Sequence, residues 1–150
     1  MSDGLYYLDT SALVKLVRRE PETPSLVLFM QAAEWVSSEL TLVELPRALR
    51  CAAAGDSSLP LPEWLEQAND VLAAIALVPV TTALLQAAGA VPEPRLRSLD
   101  AVHVASALEI TAIAPLDGFI SYDLRQAAAA RLCGLQTFAP GTDGPLPGIP

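Results

Sequence analysis

The chain has 150 residues, of which 52% are hydrophobic and 5% are aromatic. This length and composition predict one globular domain with a substantial core and exclude a disordered chain. Nine Lys and Arg against 17 Asp and Glu give a net charge of -8, which argues against a general attraction to nucleic acid or to an anionic membrane.

The sequence also argues against a secreted or membrane-bound protein. Its two cysteines, Cys51 and Cys133, have neither the spacing of a metal site nor that of a disulfide framework. The first residues lack the charged region and apolar segment of a signal peptide. The longest apolar run, 71–80, is too short to span a membrane. We therefore expect a cytoplasmic protein without a membrane attachment.

Short apolar runs alternate with helical patterns along the chain. The apolar runs predict strands at 5–8, 34–37, 77–80, 119–121 and 136–138. The helical patterns predict helices at 12–19, 24–33, about 38–54, 62–75, 82–89, 99–110 and 124–132. Because helices separate all successive strands, the order predicts a mainly parallel sheet with helices on both faces, a three-layer α/β/α fold. Ligands bind such sheets outside the carboxyl ends of the strands.

Hydroxyl residues are predicted to cap four of these helices. The candidates are Thr10 or Ser11, Ser37 or Ser38, Thr81 or Thr82, and Ser98. Pro46 lies inside the third helix and should kink it. Four Pro and three Gly in 140–150 predict a loose tail, so we assign 1–139 to the domain and 140–150 to the tail.

Four acidic residues stand where a parallel sheet would present them at one edge. Asp9 and Asp123 follow predicted strands, Glu44 lies in the helix after the second strand, and Asp100 lies in the first turn of a later helix. Each has an ordinary explanation: a helix cap for Asp9 and Asp123, a favourable place in the helix dipole for Asp100, and an ion pair with Arg47 for Glu44. Their recurrence at successive strand ends, between apolar neighbours, favours a shared site.

The segments around these acids resemble those of PIN-domain ribonucleases, above all the small VapC-like toxins of bacterial toxin–antitoxin pairs. The matching segments are 8–13 (LDTSAL) with Lys15, 39–44 (ELTLVE) with Arg47, 99–107 (LDAVHVASA) and 119–125 (FISYDLR), in the right order over about 5–139. The resemblance implies a PIN-like fold. It also implies a metal site built from Asp9, Glu44, Asp100 and Asp123, with Thr10 and Ser121 orienting the acids. Pro46 and the Pro-rich tail depart from the family pattern.

The residue types of this candidate site favour a hard metal ion. Oxygen ligands without a Cys or His cluster suit Mg²⁺, or Mn²⁺, rather than zinc. Four acids in one cleft would also repel one another unless a divalent cation neutralised them. The chain is thus interpreted as a Mg²⁺-dependent endoribonuclease that hydrolyses phosphodiester bonds with a metal-activated water. The resemblance further implies a homodimer and a small VapB-like antitoxin that blocks the acids.

A few basic residues lie close to the acids in sequence. Lys15, Arg47, Arg95, Arg97 and Arg125 are the candidates for contacts with the RNA backbone. A local rim of cations would hold a polyanion although the net charge is negative, but solvated helix faces explain the same residues equally well. The single histidine, His103, is left open between a catalytic role and a hydrogen bond within the helix packing.

Two other functions compete with an active ribonuclease. A catalytically silent PIN-domain binding module in a nucleoprotein complex would share the fold, although the presence of all four acids argues against it. A phosphatase with Asp9 as nucleophile is disfavoured, because Ser11 stands where that class of enzyme has a second Asp.

Overall fold

A computed structural model describes residues 4–142. Within them, one five-stranded sheet is formed by β1 (Leu5–Leu8), β2 (Glu34–Ser38), β3 (Ala76–Val78), β4 (Gly118–Ile120) and β5 (Thr137–Phe138). The strands lie in the order β3-β2-β1-β4-β5, and all neighbouring pairs are parallel. The chain builds outward from β1 to β3 and then crosses to β4 on the other side. This reversal between β1 and β4 is the place where open α/β sheets bind ligands.

Helices make every connection between these strands. They are α1 (Thr10–Val17), α2 (Thr23–Met30), α3 (Thr41–Ala53), α4 (Leu61–Ala73), α5 (Thr82–Gly89), α6 (Ser98–Thr111) and α7 (Leu124–Leu132). In the part of the chain that the structure describes, no helix is long and apolar enough to cross a membrane.

Side chains of the central strands alternate between two hydrophobic cores. Leu8 and Ile120 pack with residues of α1, α3 and α4 on one face of the sheet. Tyr7 and Phe119 pack with residues of α6 and α7 on the other face. This alternation follows from the two-residue period of a strand, and it confirms the predicted three-layer fold with a parallel sheet.

Helix α6 is buried on nearly all sides, because α5 packs against the side that the sheet does not cover. Leu84 and Ala88 of α5 contact Ala101 and Val102 of α6. The start of α6 is therefore held firmly at the carboxyl edge of the sheet.

Several predicted element ends were wrong by two or three residues; α1, for example, runs over Thr10–Val17 rather than 12–19, and α4 ends at Ala73 rather than at residue 75. The third strand ends at Val78 rather than at residue 80. Glu39, which follows β2, binds the backbone at this point: its N–H donates to the Val78 carbonyl, and its carboxylate accepts from Val80 N. The second helix ends at Met30, and the chain then turns into β2.

The predicted helix caps were partly wrong. Asp9, not Thr10 or Ser11, caps α1, because its carboxylate accepts the Ala12 N–H and is a stronger acceptor than a hydroxyl. Thr81 caps α5 as predicted, by accepting from Leu84 N at 3.1 Å.

The other two predicted caps are absent from their helices. Helix α3 begins after Leu40 without a side-chain cap, and Ser38 instead accepts from Leu40 N at 3.1 Å in the preceding turn. Helix α6 already includes Ser98, and Arg97 precedes it without a capping hydrogen bond. Helix α3 also runs from Thr41 to Ala53 through Pro46 as one element.

The segment after β5 is described only in its first residues. Pro140 accepts a hydrogen bond from the Tyr122 hydroxyl at 2.7 Å, so the chain still contacts the domain at this point of the predicted tail. The rest of that tail, 143–150, lies outside the described residues.

Candidate active site

The candidate site lies at the switch point between β1 and β4. Leu8 is in register with Ile120, so Asp9 and Ser121 leave the ends of the two strands side by side. The Asp9 N–H donates to the Ile120 carbonyl at 3.1 Å and extends this pairing by one residue. The sheet therefore fixes the position of the Asp9 backbone.

Asp9 is a fully buried carboxylate. Its Oδ1 accepts from Ser11 Oγ at 2.6 Å and from Ala12 N at 3.0 Å, and its Oδ2 accepts from Ser121 Oγ. Burial raises the pKa of Asp9 above its ordinary value, and these hydrogen bonds and the charge of His103 only partly oppose that effect. Within residues 4–142, Asp9 forms no ion pair with a Lys or an Arg.

Glu44 reaches the same edge from the first turn of α3. Its Oε1 accepts from Thr10 Oγ1 at 2.7 Å and lies 2.5 Å from His103 Nε2. Burial acts to raise the pKa of this carboxyl, but the hydrogen bond and charge of His103, the hydrogen bond from Thr10 and the charge of Arg97 outweigh it and lower the pKa. The ion pair between Glu44 and Arg47 that was considered from the sequence does not occur among the described residues.

Asp100 and Asp123 are joined through an arginine. Arg97 Nε donates to Asp100 Oδ2 at 3.0 Å, and Arg97 Nη2 lies 3.8 Å from Asp123 Oδ2. The hydrogen bond to Asp100 raises the pKa of Arg97, and the charges of Asp123 and Glu44 add to this effect. Two of the four acids thus contact one guanidinium group.

Asp123 combines this position with a structural role. Its Oδ1 accepts from Arg125 N at 2.9 Å and from Gln126 N at 3.1 Å, so it caps α7 as the alternative explanation proposed. Ser121 Oγ accepts from Asp123 N at 3.1 Å while donating to Asp9. Ser121 therefore connects the acid after β1 with the acid after β4.

Two residues of this network were underestimated or missed in the sequence. His103 is 1% exposed and contacts Glu44, and its Nδ1 lies 2.7 Å from the hydroxyl of Tyr7. A signal for both was present: Tyr7 precedes Asp9 by two residues on the same strand face, and His103 follows Asp100 by three on the same helix face.

The donor chemistry of the site fits Mg²⁺, although the side chains are not arranged as a complete cage. Among the described residues, no group of three or more His, Cys, Asp or Glu side chains has metal-holding geometry. The available donors are carboxylate oxygens, which Mg²⁺ prefers. Asp9 is a buried carboxylate without a Lys or Arg partner among these residues, and the single guanidinium of Arg97 is shared between Asp100 and Asp123. A divalent cation is the type of group that would neutralise this surplus.

The predicted RNA-contacting residues fall into two kinds. Lys15 is only 13% exposed, pairs with Glu20 at 2.5 Å and Glu22 at 3.0 Å, and lies over the Tyr122 ring. Its charge is therefore already balanced within the domain. Arg47, in contrast, is exposed on α3.

Arg95 and Arg125 line the same pocket. This pocket of about 480 Å³ lies between the segment before α6 and the start of α7, and Glu93, Leu96 and Ala128 complete its wall. Arg95 also pairs with Glu93 at 3.4 Å. The pocket offers two cationic side chains, each two residues along the chain from a member of the Arg97–Asp123 contact.

Comparisons with known proteins agree with this fold. The PIN domain model matches residues 6–132. Ribonuclease VapC35 of Mycobacterium tuberculosis is 39% identical over 140 residues, which cover 91% of this chain and 98% of that protein.

Two solved structures share the fold at low sequence identity. The crystal structure of Mycobacterium tuberculosis VapC20, described as a sarcin-ricin loop cleaving toxin, has a TM-score of 0.63 and 16% identity and covers 83% of this chain and 94% of its own. VapBC2 from Rickettsia felis, bound to a DNA fragment from their promoter, has a TM-score of 0.64 and 12% identity, with coverage of 90% and 98%. The match over 6–132 and the 39% identity to VapC35 confirm the family assignment: the chain belongs to the PIN-domain family, in its VapC-like group.

Proposed function

We propose that the chain is a metal-dependent endoribonuclease and the toxin of a toxin–antitoxin pair. The observation that carries the proposal is the gathering of acids from four distant segments at the switch point of the sheet. Asp9 is linked to Asp123 through Ser121, Asp123 and Asp100 both contact Arg97, and Glu44 accepts a hydrogen bond from Thr10, the residue after Asp9. The ribonuclease name of VapC35, a relative over most of the chain, supports the same activity.

Asp9, Glu44, Asp100 and Asp123 would hold the metal, with Mg²⁺ as the expected ion and Mn²⁺ as a substitute. The ion supplies stabilisation of negative charge on phosphate oxygens and activation of water for attack on phosphorus.

The protein's own groups orient the acids. Ser121 and Ser11 donate hydrogen bonds to Asp9, and Thr10 donates one to Glu44, so these carboxylates are fixed in place before any ligand arrives. Such preorganisation lowers the cost of assembling the site.

RNA would be held by the exposed cations next to the acids. Arg95 and Arg125 line one pocket, and Arg47 lies on the surface of the helix that carries Glu44. Arg97 is 74% exposed and could exchange its contact with Asp100 for an RNA phosphate. Lys15 is the weakest member of the predicted rim, because two carboxylates already pair with it.

A partner protein belongs to the same proposal. The protein from Rickettsia felis that shares this fold is described as VapBC2, which supports a small VapB-like antitoxin for this chain. The homodimer and the cytoplasmic location stay predictions.

The activity is tested by incubating purified, antitoxin-free protein with RNA in Mg²⁺, in EDTA, and after the substitution Asp100→Asn. We expect cleavage in Mg²⁺ and its loss in the other two conditions. Glu109→Gln is a matched control, because it removes an exposed acid from the same helix and should leave cleavage unchanged. Cleavage that survives both EDTA and Asp100→Asn would contradict the proposal.

The alternative of a catalytically silent binding module gives a different result in the same assay. It predicts RNA binding in Mg²⁺ without cleavage, and equal binding by the wild type and the Asp100→Asn protein.

A further inference from the structure

Glu44 differs from the other candidate acids in what holds it. Asp9 and Asp123 each cap a helix through hydrogen bonds from the backbone, and Asp100 pairs with Arg97. Glu44 has a longer side chain with more rotational freedom. Its position depends on the side chains of other elements.

Those side chains all contact the same oxygen. Glu44 Oε1 accepts from Thr10 Oγ1 at 2.7 Å and lies 2.5 Å from His103 Nε2. Among residues 4–142, no hydrogen bond reaches Oε2, and the side chain is 19% exposed. One carboxylate oxygen is therefore anchored, and the other is available to a cation.

His103 is in turn held by Tyr7 from the opposite side of the ring. The Tyr7 hydroxyl lies 2.7 Å from His103 Nδ1, and the Tyr7 ring stacks on Phe119 with centroids 5.1 Å apart. The phenol hydroxyl of Tyr7 can donate its proton to Nδ1 at this distance. When Nδ1 accepts from Tyr7, the ring proton lies on Nε2, which is the atom next to Glu44, and a protonated ring also carries a proton there.

The remaining contact of Nε2 agrees with this direction of donation. Thr10 Oγ1 lies 3.1 Å from His103 Nε2, and its hydroxyl proton is directed at Glu44. The Nε2–H can therefore be shared between Glu44 and Thr10, and the hydrogen bonds run in one direction from Tyr7 to Glu44.

We propose that His103, oriented by Tyr7, is a positioning residue that holds Glu44 for metal binding. It acts through Glu44. This inference rests on the proposed function, because it gives Glu44 a part in binding the metal. Hydrogen-bond partners of metal ligands commonly contribute about 10–100-fold to metal affinity. A histidine that served only to pack the core would instead affect stability and leave metal affinity unchanged.

The test is a calorimetric titration of the metal-free, full-length chain with Mn²⁺. It compares the wild type with His103→Leu, His103→Gln and Tyr7→Phe. Leucine fills much of the space of the ring but cannot donate a hydrogen bond, whereas the amide nitrogen of glutamine can donate to Glu44 as Nε2 does. We expect His103→Leu to weaken Mn²⁺ binding by about tenfold or more, Tyr7→Phe to weaken it less, and His103→Gln to restore most of the affinity.

Trp35→Phe is the matched control for stability. It removes one part-buried hydrogen bond, from Trp35 Nε1 to the Met30 carbonyl at 2.9 Å, near the amino end of β2 and away from the acids. It should lower the melting temperature without changing the affinity for Mn²⁺.

The possible outcomes separate the inference from the proposed function. If the wild type binds Mn²⁺ and both His103→Leu and Tyr7→Phe bind it equally well, His103 is a packing residue and only this inference fails. Equal loss of affinity in His103→Gln and His103→Leu also overturns it, because the hydrogen bond is then not the cause. If His103→Leu does not fold, Tyr7→Phe decides: weaker binding supports the inference, and unchanged binding overturns it. A wild type that does not bind Mn²⁺ overturns both proposals.

Discussion

The substitution Asp9→Asn should change stability in opposite directions without and with metal. Asp9 is fully buried, and burial raises the pKa of its carboxyl above the ordinary value of 3.8. A raised pKa in the folded state stabilises the fold below the pKa of the unfolded chain. That contribution is lost as the pH rises through the folded-state pKa. Ionised Asp9 is therefore a charge that the metal-free fold disfavours.

Asparagine can replace this charge without leaving its neighbours unpaired. Its carbonyl oxygen can accept from Ser11 and from Ala12 N as Oδ1 does. Its amide can donate to Ser121 Oγ, and the Ser121 hydroxyl can then donate to the Asp123 carbonyl, which lies 3.3 Å away. The substitution thus removes the charge and keeps the hydrogen-bond network.

The size of the effect follows from the pKa shift. Each unit of difference between folded and unfolded pKa changes the free energy of unfolding by about 1.4 kcal/mol. For a domain of this length, each kcal/mol moves the melting temperature by about 2–4 °C. We therefore expect Asp9→Asn in EDTA at pH 7 to melt above the wild type, by about 3–6 °C for each pKa unit of the shift.

Metal should reverse this order. A ligand that binds only the folded state at 100 times its Kd stabilises it by about 2.7 kcal/mol. The wild type should gain this stability in excess Mg²⁺, and Asp9→Asn should gain much less because a metal ligand is missing. Thermal melting by circular dichroism in EDTA and in a Mg²⁺ series measures both effects. A variant that melts below the wild type in EDTA, or that gains as much from Mg²⁺, would refute the reasoning.

Three further predictions concern the other charges of the site. The pKa of Glu44 is lowered below its ordinary value of 4.5. The charge of Glu44 therefore stabilises the fold when the pH is above the pKa of the unfolded chain, and this contribution is lost as the pH falls through the folded-state pKa. In denaturant titrations, Glu44→Gln should therefore lose less stability than the wild type on acidification, and an equal loss would contradict the shift. Replacing both Arg95 and Arg125 with Ala should weaken RNA binding and reduce the slope of log binding constant against log salt concentration by about 1.4, at about 0.7 for each phosphate contact to a single strand. The control, Arg50→Ala on the exposed face of α3, should have no effect. Equal RNA binding at low salt by the wild type, the double variant and the control would exclude a role for the pocket. Asp123→Ala should lower the free energy of unfolding by about 1 kcal/mol, because it removes the cap of α7. Asp123→Asn keeps the cap and should lose only metal binding. Equal melting temperatures of these two variants would show that the cap does not contribute to stability.

The fold and the gathering of the acids could be predicted because they depend on strand ends. Short apolar runs marked where the parallel strands stop, and parallel strands end at one edge of the sheet. Asp9 follows its run directly and Asp123 follows within three residues, so their placement at the switch point required no knowledge of side-chain packing. The metal-binding roles of the four acids stay predictions that the experiments above test.

The side-chain pairing inside the site could not be predicted in the same way. The contact between His103 and Glu44 joins two helices whose residues are 59 positions apart, and nothing local specifies their approach. Long charged side chains also choose partners by tertiary context. Lys15 forms ion pairs with Glu20 and Glu22, and Arg97 forms them with Asp100 and Asp123.

The helix caps show a different limit, which is competition between neighbours. Asp9, Thr10 and Ser11 are all competent caps. Asp9 is the residue that caps α1, because its backbone continues the extended conformation of β1, whereas Thr10 and Ser11 already lie inside the helix. The hydroxyls were then free to bind Glu44 and Asp9, so this local exchange supplied part of the site.

The central claim is that carboxylates from four segments hold one divalent cation together. It is tested most directly by an anomalous difference map from crystals of the full-length protein soaked in Mn²⁺. The account predicts a peak contacted, directly or through water, by Asp9 and Asp100, with Glu44 and Asp123 beside it and Arg97 displaced from Asp100. A well-ordered map without a peak beside Asp9, from protein that cleaves RNA in the same Mn²⁺ solution, would contradict it.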